Sequence, residues 1–174
     1  MKDSTSRYGA ITRILHWGMG LLILLQFLKF GDRINDGEHW IGETLGPTHI
    51  ALGVLLLVLF VPRLLWALHQ RLWRPPHEGP MGAFARVGHA LLYLAMLLMP
   101  VTGILYMAGK GYGLNAFGVQ WIAKSGTETG WMVTLGSLHS PLAWVFLALV
   151  LGHVVAALYH HFVLRDDTLR RMTG

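Results

Sequence analysis

His139 and His153 stand fourteen residues apart in a stretch that otherwise holds almost no polar side chains. On an α-helix that spacing is about 21 Å of rise and roughly 40° of rotation, so both imidazoles lie on one stripe. Such a stripe can serve two stacked sites at two depths. A neutral imidazole binds transition metals and exchanges protons near neutral pH, so the chemistry on offer is ligation or proton transfer. Each histidine then needs a partner at its own depth. His16 and His49 qualify, one near the start of each of the first two long apolar runs. Ten histidines in a chain of which 53% is apolar and only 13% charged is the anomaly to be explained.

The elements that must carry these residues are transmembrane helices. Spanning the hydrocarbon takes about 20 apolar residues, and four runs supply them, at roughly 11–30, 48–68, 83–107 and 135–162. The length suits a single domain, and no internal repeat or low-complexity tract interrupts it. The fold expected is all-α, an integral membrane four-helix bundle in one domain over 1–174. Lys2, Arg7 and Arg13 before the first run resemble a signal peptide. That run contains His16 and Gln26 and lacks a small-x-small cleavage site, so it reads as the first span. Pro62 and Pro100 fall inside runs, where bends rather than ends are expected.

Loop charge sets the orientation. With the N-terminus inside, ten of the fourteen Lys and Arg lie on the inner side; Lys29, Arg33, Lys110 and Lys124 lie outside. Both termini are therefore expected in the cytoplasm of a bacterial inner-membrane protein. The first outer loop is acidic (Asp32, Asp36, Glu38, Glu43), and the inner loop at 71–82 is proline-rich and basic. The outer loop at 108–134 is long for a bundle. Its Phe117, Trp121, Ile122 and Trp131 suit a piece lying on the membrane or capping the bundle. The net charge of +5 forms no contiguous stripe, which argues against nucleic acid.

This topology brings the histidines to shared depths. The first helix runs outward, so His16 lies at the inner level with His153. The second runs back, so His49 lies at the outer level with His139. Loop charge and histidine spacing are independent signals, and they agree. Two imidazoles facing each other suit an iron porphyrin better than a bare ion, since zinc wants four ligands and these helices offer almost no acids. With no cysteine, iron–sulfur clusters and covalent C-x-x-C-H attachment are excluded. Two b-type haems are the expected cofactors, and bis-histidine iron favours electron transfer over oxygen binding.

Neighbouring residues fit a flat cofactor. Gly20, Gly53 and Gly136 lie on the faces of His16, His49 and His139, as Ala156 and Ala157 do beside His153. Each alone is ordinary helix packing; as a set they leave room for a porphyrin. Arg63 follows His49 by fourteen residues and faces the interior at the inner level, where it could bind a haem propionate or snorkel to the surface. His89 could compete with His16 as a ligand, line a quinone pocket, or satisfy a carbonyl. His160, seven residues beyond His153, falls just below the inner haem, where a quinone head could dock and take protons. His161 reads as interfacial, and His39, His69 and His77 as solvated surface.

Arg7–Tyr8–Gly9 followed by Leu15–His16–Trp17, His49 opening the second helix, and Gly88–His89 resemble the prokaryotic cytochrome b-561 family. So do the His139/His153 spacing and the terminal Y-H-H-F…R-D-D-T-L-R-R-M. The resemblance covers essentially the whole chain. That family is similar to the cytochrome b subunits of nickel–iron hydrogenases and formate dehydrogenases. The resemblance implies a four-helix bundle, two b haems and electron exchange with ubiquinone near the cytoplasmic face. Some members are implicated in oxidising superoxide at the periplasmic face, which implies a basic outer mouth. Here Lys110 and Lys124 are offset by Glu128 and the acids of the first loop. The function expected is electron transfer between a periplasmic donor or acceptor and ubiquinone. The alternatives are a relay anchor for a larger periplasmic redox enzyme and, further off, a metal or proton transporter.

Overall fold

The computed structural model describes residues 2–30, 40–74 and 79–173. Arg33, Asp32, Asp36, Glu38, His39 and His77 lie outside the described residues. Helix α1 spans Ala10–Phe27 and ends in a 3-10 turn, Leu28–Phe30. Helix α2 spans Trp40–Gln70 and α3 spans Gly79–Gly109. A hairpin of β1 (Leu114–Ala116) and β2 (Val119–Ile122) follows. Then come α4 (Gly130–Gly136), α5 (His139–Tyr159), a π-helical turn (His160–Leu164) and a short α6 (Arg170–Thr173).

Four helical stretches are long and apolar enough to cross a membrane: Ala10–Phe27, Thr48–Gln70, Met81–Gly109 and Gly130–Leu164. Helix α1 packs on α2, α2 on α3, and α3 on α5. Phe27 meets Phe146 across the bundle at 5.6 Å, which brings α1 and α5 together. Few residues are fully buried. Ile14, Leu21, Val58, Leu65, Leu151 and Val155 are exposed along the spans, as apolar side chains facing lipid must be.

Both α2 and α3 continue through Pro62 and Pro100. The fourth span, expected as one helix over 135–162, is divided at Ser137 and Leu138. Pro141 accounts for this, because it has no N–H to return to the Ser137 carbonyl and sits comfortably only in a first turn.

The two ends of the bundle are built differently. At one end the long connection forms the hairpin, which the apolar periodicity did not announce. Leu114 and Ala116 are buried against Val54 of α2, flanked by Ile50, Ala51 and Ile104, so the hairpin caps the bundle as one of the two readings expected. Its exposed side carries Phe117, Val119 and Trp121. The turn places Phe117 and Gly118 at φ of 54° and 77°, a pair of left-handed residues that closes a tight hairpin.

At the other end both termini are tied to the helices. The buried Asp3 carboxylate accepts from the Gly9 N–H (2.8 Å), the Thr12 hydroxyl (2.7 Å) and Arg74 Nε (3.0 Å). The Asp3 N–H binds Gln70 Oε1 at 3.1 Å, and Trp66 Nε1 donates to Thr12 at 2.9 Å. Tyr8 N–H donates to the Arg171 carbonyl, and Trp17 Nε1 to that of Met172. The C-terminal segment thus straps back onto the start of α1.

Candidate functional site

At the hairpin end, His49 of α2 and His139 of α5 face each other with ring centres 6.0 Å apart and planes at 89°. Nδ1 of His139 lies 2.8 Å from the Met99 carbonyl and 3.3 Å from the Thr102 hydroxyl. A carbonyl can only accept, so Nδ1 carries the hydrogen and Nε2 keeps its lone pair. That is how a metal-binding imidazole is oriented by its outer partners. Nδ1 of His49 is buried with no hydrogen-bond partner. The two rings share a cavity of about 340 Å³, within the usual range for ligand pockets. Met19, Ile23, Leu56, Met96 and Phe146 make its walls, with Gln26 and Lys29 also lining it.

Gly53 lines this cavity, and a side chain there would meet only Gln26 Nε2, at 3.5 Å. Around Gly20 nothing lies within 4 Å of an added Cβ. Gly136 is different. It is buried against the backbone of Tyr106, so its small size serves the α4–α3 contact and not a cofactor slot. The glycine that does serve His139 is Gly103 on α3, where a Cβ would stand 3.2 Å from the ring. Sequence reading missed it, because it comes from a helix with no ligand of its own. Its one signal is the three-residue spacing from Pro100, which lines the same cavity.

At the end with the termini, His16 of α1 and His153 of α5 are likewise 6.0 Å apart between ring centres, at 62°. The match to the other pair is close, although α5 is paired with α2 in one and with α1 in the other. His89 of α3 is also at hand, 5.6 Å from His153. Its depth was legible in the sequence; its packing against His153 was not. Arg63 turns inward as expected, with Nη2 3.3 Å from His16 Nδ1 and its guanidinium 5.6 Å over the Tyr93 ring. Its Nε is buried without a partner.

His160 opens the π-helical turn at this same end. Its Nδ1 lies 2.5 Å from Asp166 Oδ2, and the Thr168 N–H donates to the other carboxylate oxygen at 2.9 Å. Arg165 adopts a left-handed conformation (φ 52°, ψ 36°), which reverses the chain and returns Asp166 to His160. Partial burial pushes the Asp166 carboxyl up, but hydrogen bonds from His160 and Thr168 outweigh it and hold it at about 2. Elsewhere, His69 is exposed beside Trp66, Ala156 is exposed and Ala157 half-buried. Lys110 is paired with Glu128 at 2.8 Å.

These residues fit a flat metalloporphyrin. Metal–nitrogen bonds of roughly 2 Å on both sides of one ion put imidazole centres about 6 Å apart, and both pairs have that separation. The His139 tautomer, the unpartnered Nδ1 of His49 and the apolar cavity suit the same group. Among the described residues, no three of His, Asp and Glu converge as a bare-ion site would require.

Four apolar spans with two facing imidazole pairs define a membrane haem protein. Residues 7–174 match the family model described as prokaryotic cytochrome b561, and the chain belongs to that family. Cytochrome b561 homolog 2 of Escherichia coli K12 is 30% identical over 99% of this chain and 94% of its own length. The probable superoxide oxidase CybB of Yersinia pestis is 30% identical over 95% of each chain. Cytochrome b562 of Cereibacter sphaeroides is 27% identical over 95% of this chain and 94% of its own. The protein is a multi-pass electron-transfer protein of the bacterial inner membrane, of a haem b family.

Proposed function

We propose that this chain holds two b haems, one between His49 and His139 and one between His16 and His153, and passes electrons between a periplasmic partner and ubiquinone. The observation that carries this reading is the repetition of one geometry: two imidazole pairs, each 6.0 Å apart, at two levels of α5. Haem would supply one-electron redox chemistry at each pair. The chain's own contribution is position. Fourteen residues of α5 separate the two levels by about 21 Å, so two hops replace one passage too long for direct transfer.

In this reading the end with the termini faces the cytoplasm, on the Lys and Arg distribution. Arg63 stands beside His16 to hold a propionate, and Lys29 lines the other cavity as a second cation. Arg63 can only donate, so His16 Nδ1 accepts from it here. Iron at Nε2 needs that nitrogen free of its proton, and a propionate would give Arg63 a stronger acceptor than a ring nitrogen. Gly20 and Gly53 leave space for the porphyrin, His89 lines the inner site, and His160 serves a quinone head below it.

A second reading concerns the donor. One relative carries the name probable superoxide oxidase, and Lys29 offers an anion a cation at the outer cavity. Lys110 is paired with Glu128. The remaining reading, an anchor relaying electrons from a larger periplasmic enzyme, predicts a stable complex after gentle extraction. The deciding experiment for the main reading is a dithionite-reduced minus oxidised spectrum of the purified protein, with a pyridine haemochrome count. Two low-spin b haems per chain are expected. A folded, colourless protein produced with adequate haem supply would sink the proposal.

A further inference from the structure

The quinone role assigned to His160 leaves one feature at this end unused: the carboxylate that grips its ring. His160 Nδ1 and the Asp166 carboxylate are in direct hydrogen-bond contact at 2.5 Å. It is built, not incidental. The π-helical turn adds a residue to the helix end, Arg165 takes a left-handed conformation, and the Asp166 N–H then returns to the His160 carbonyl at 3.2 Å. A left-handed conformation is strained for a non-glycine residue, and π turns concentrate at functional sites. Thr168 completes the arrangement, its N–H on Asp166 Oδ1 and its hydroxyl 3.4 Å from His160 Nδ1. The strap that carries these residues is anchored on α1 by the Trp17 contact to Met172, one residue from His16, and on the segment before α1 by the Tyr8 contact to Arg171.

We infer that Asp166 is a positioning residue for proton delivery to the quinone, holding His160 with its hydrogen on Nδ1 so that Nε2 is the nitrogen that gives and regains protons. The inference rests on the quinone reading of His160 given above. Reduction of a quinone to a quinol takes two electrons, arriving singly from the haem side, and two protons. His160 as imidazolium transfers the Nε2 proton to a quinone oxygen as the O–H bond forms. The neutral ring keeps its other hydrogen on Nδ1, where Asp166 accepts it. Nε2 then regains a proton from water, and the second O–H forms by the same route. The ionisable groups set against His160 are Asp166 from the strap and the Tyr159 phenol ring, 6.5 Å away on α5. Asp167 pairs with Arg170 instead. The arrangement follows the logic of any carboxylate-oriented general acid.

The test uses the haem-loaded protein, pre-reduced and mixed with decyl-ubiquinone, with haem reoxidation followed optically. In Asp166→Ala the maximal reoxidation rate should fall roughly 100-fold, while the half-saturating quinone concentration stays within about twofold. Asp166→Glu should recover most of the rate, and the haem spectrum should be unchanged in both. A second readout is ¹⁵N-histidine NMR above the titration range. His160 should be the Nδ1–H tautomer in the parent and a mixture in Asp166→Ala. If His160→Gln abolishes turnover while Asp166→Ala changes neither rate nor tautomer, Asp166 has no such role and the quinone reading stands. If His160→Gln leaves quinone reduction intact, the quinone reading itself falls and takes this inference with it.

Discussion

The two imidazole pairs share a ring separation and differ in almost everything around it. The His49/His139 pair opens on an apolar cavity, and its orientation is set by neutral groups, the Met99 carbonyl and the Thr102 hydroxyl. The His16/His153 pair sits among a guanidinium, a third imidazole and the Tyr93 ring, close to where both termini are fastened. A positive charge near a haem favours the arriving electron, and in a low-dielectric interior it does so strongly. The same ligand pair can therefore be given two potentials by its surroundings alone. Each site has a cation near it, Arg63 at Nη2 3.3 Å from His16 and Lys29 in the lining of the other cavity, so the difference in potential depends on how closely each cation is held.

The largest effect that could break this comparison is ligand removal. His49→Ala and His139→Ala should each lower the pyridine haemochrome count from two haems to one, and both should lose the same spectral component. His16→Ala and His153→Ala should lose the other. Loss of the wrong component in any of the four would mean that the pairs do not work as separate sites. His89→Ala sharpens the point, since retention of both haems would leave His16 as the partner of His153.

Next in size is the fastening of the termini. Asp3 is buried and accepts three hydrogen bonds, one from Arg74. Breaking a buried pair from one side costs about 3 kcal/mol or more. Asp3→Ala should lower the melting temperature of the haem-loaded protein by several degrees. The haem held at the end with the termini should be released first, followed as loss of its band on heating. Equal loss of both haems would mean that this end is not separately stabilised.

Arg63→Gln acts on the same end without unfastening it. The midpoint potential of the His16/His153 haem should drop by tens of millivolts, on the order of a screened charge pair, with the other haem unmoved. A redox titration in which both potentials move together would remove Arg63 as the source of the difference.

Much of this plan was legible in the sequence because it depends on spacing within single helices. Apolar runs announce spans, and a fourteen-residue interval announces two levels on one face. What was hidden depends on contacts between distant segments. The hairpin has only three- and four-residue strands, and its Leu114/Ala116 alternation is too short to read as a period. Gly136 looked like a cofactor glycine by its distance from His139, yet the helix breaks between them and carries it to Tyr106. Gly103, where an added Cβ would meet the ring, lies on another helix. Asp166 was hidden for a related reason: the π turn and the left-handed Arg165 change the register, so no regular helical spacing links it to His160.

Gly103 allows a finer test at the hairpin end. An added Cβ would stand 3.2 Å from the His139 ring, tighter than ordinary contact by a few tenths of an ångström. Gly103→Ala should leave two haems in place and shift the visible band or potential of the His139-dependent haem alone. A shift confined to the other haem would contradict the packing.

The smallest effect is at the strap. Asp166 is held at about 2, below the ordinary aspartate value near 3.9. A carboxyl lowered on folding adds stability that is fully present above about pH 4 and is lost as pH falls through about 2. Because its side chain is 41% exposed, solvent screens the contribution and it stays small. The change is best followed locally, by ¹³C-carboxyl NMR of labelled aspartate. The Asp166 resonance should titrate near 2, and both His160→Gln and Thr168→Ala should raise its midpoint, since each removes a donor. His139 at the hairpin end is held instead by a carbonyl and a hydroxyl, which do not titrate. An Asp166 midpoint near 4 in the parent protein would mean that the strap does not hold the carboxylate on His160, and that only the haem sites, not their proton traffic, distinguish the two ends.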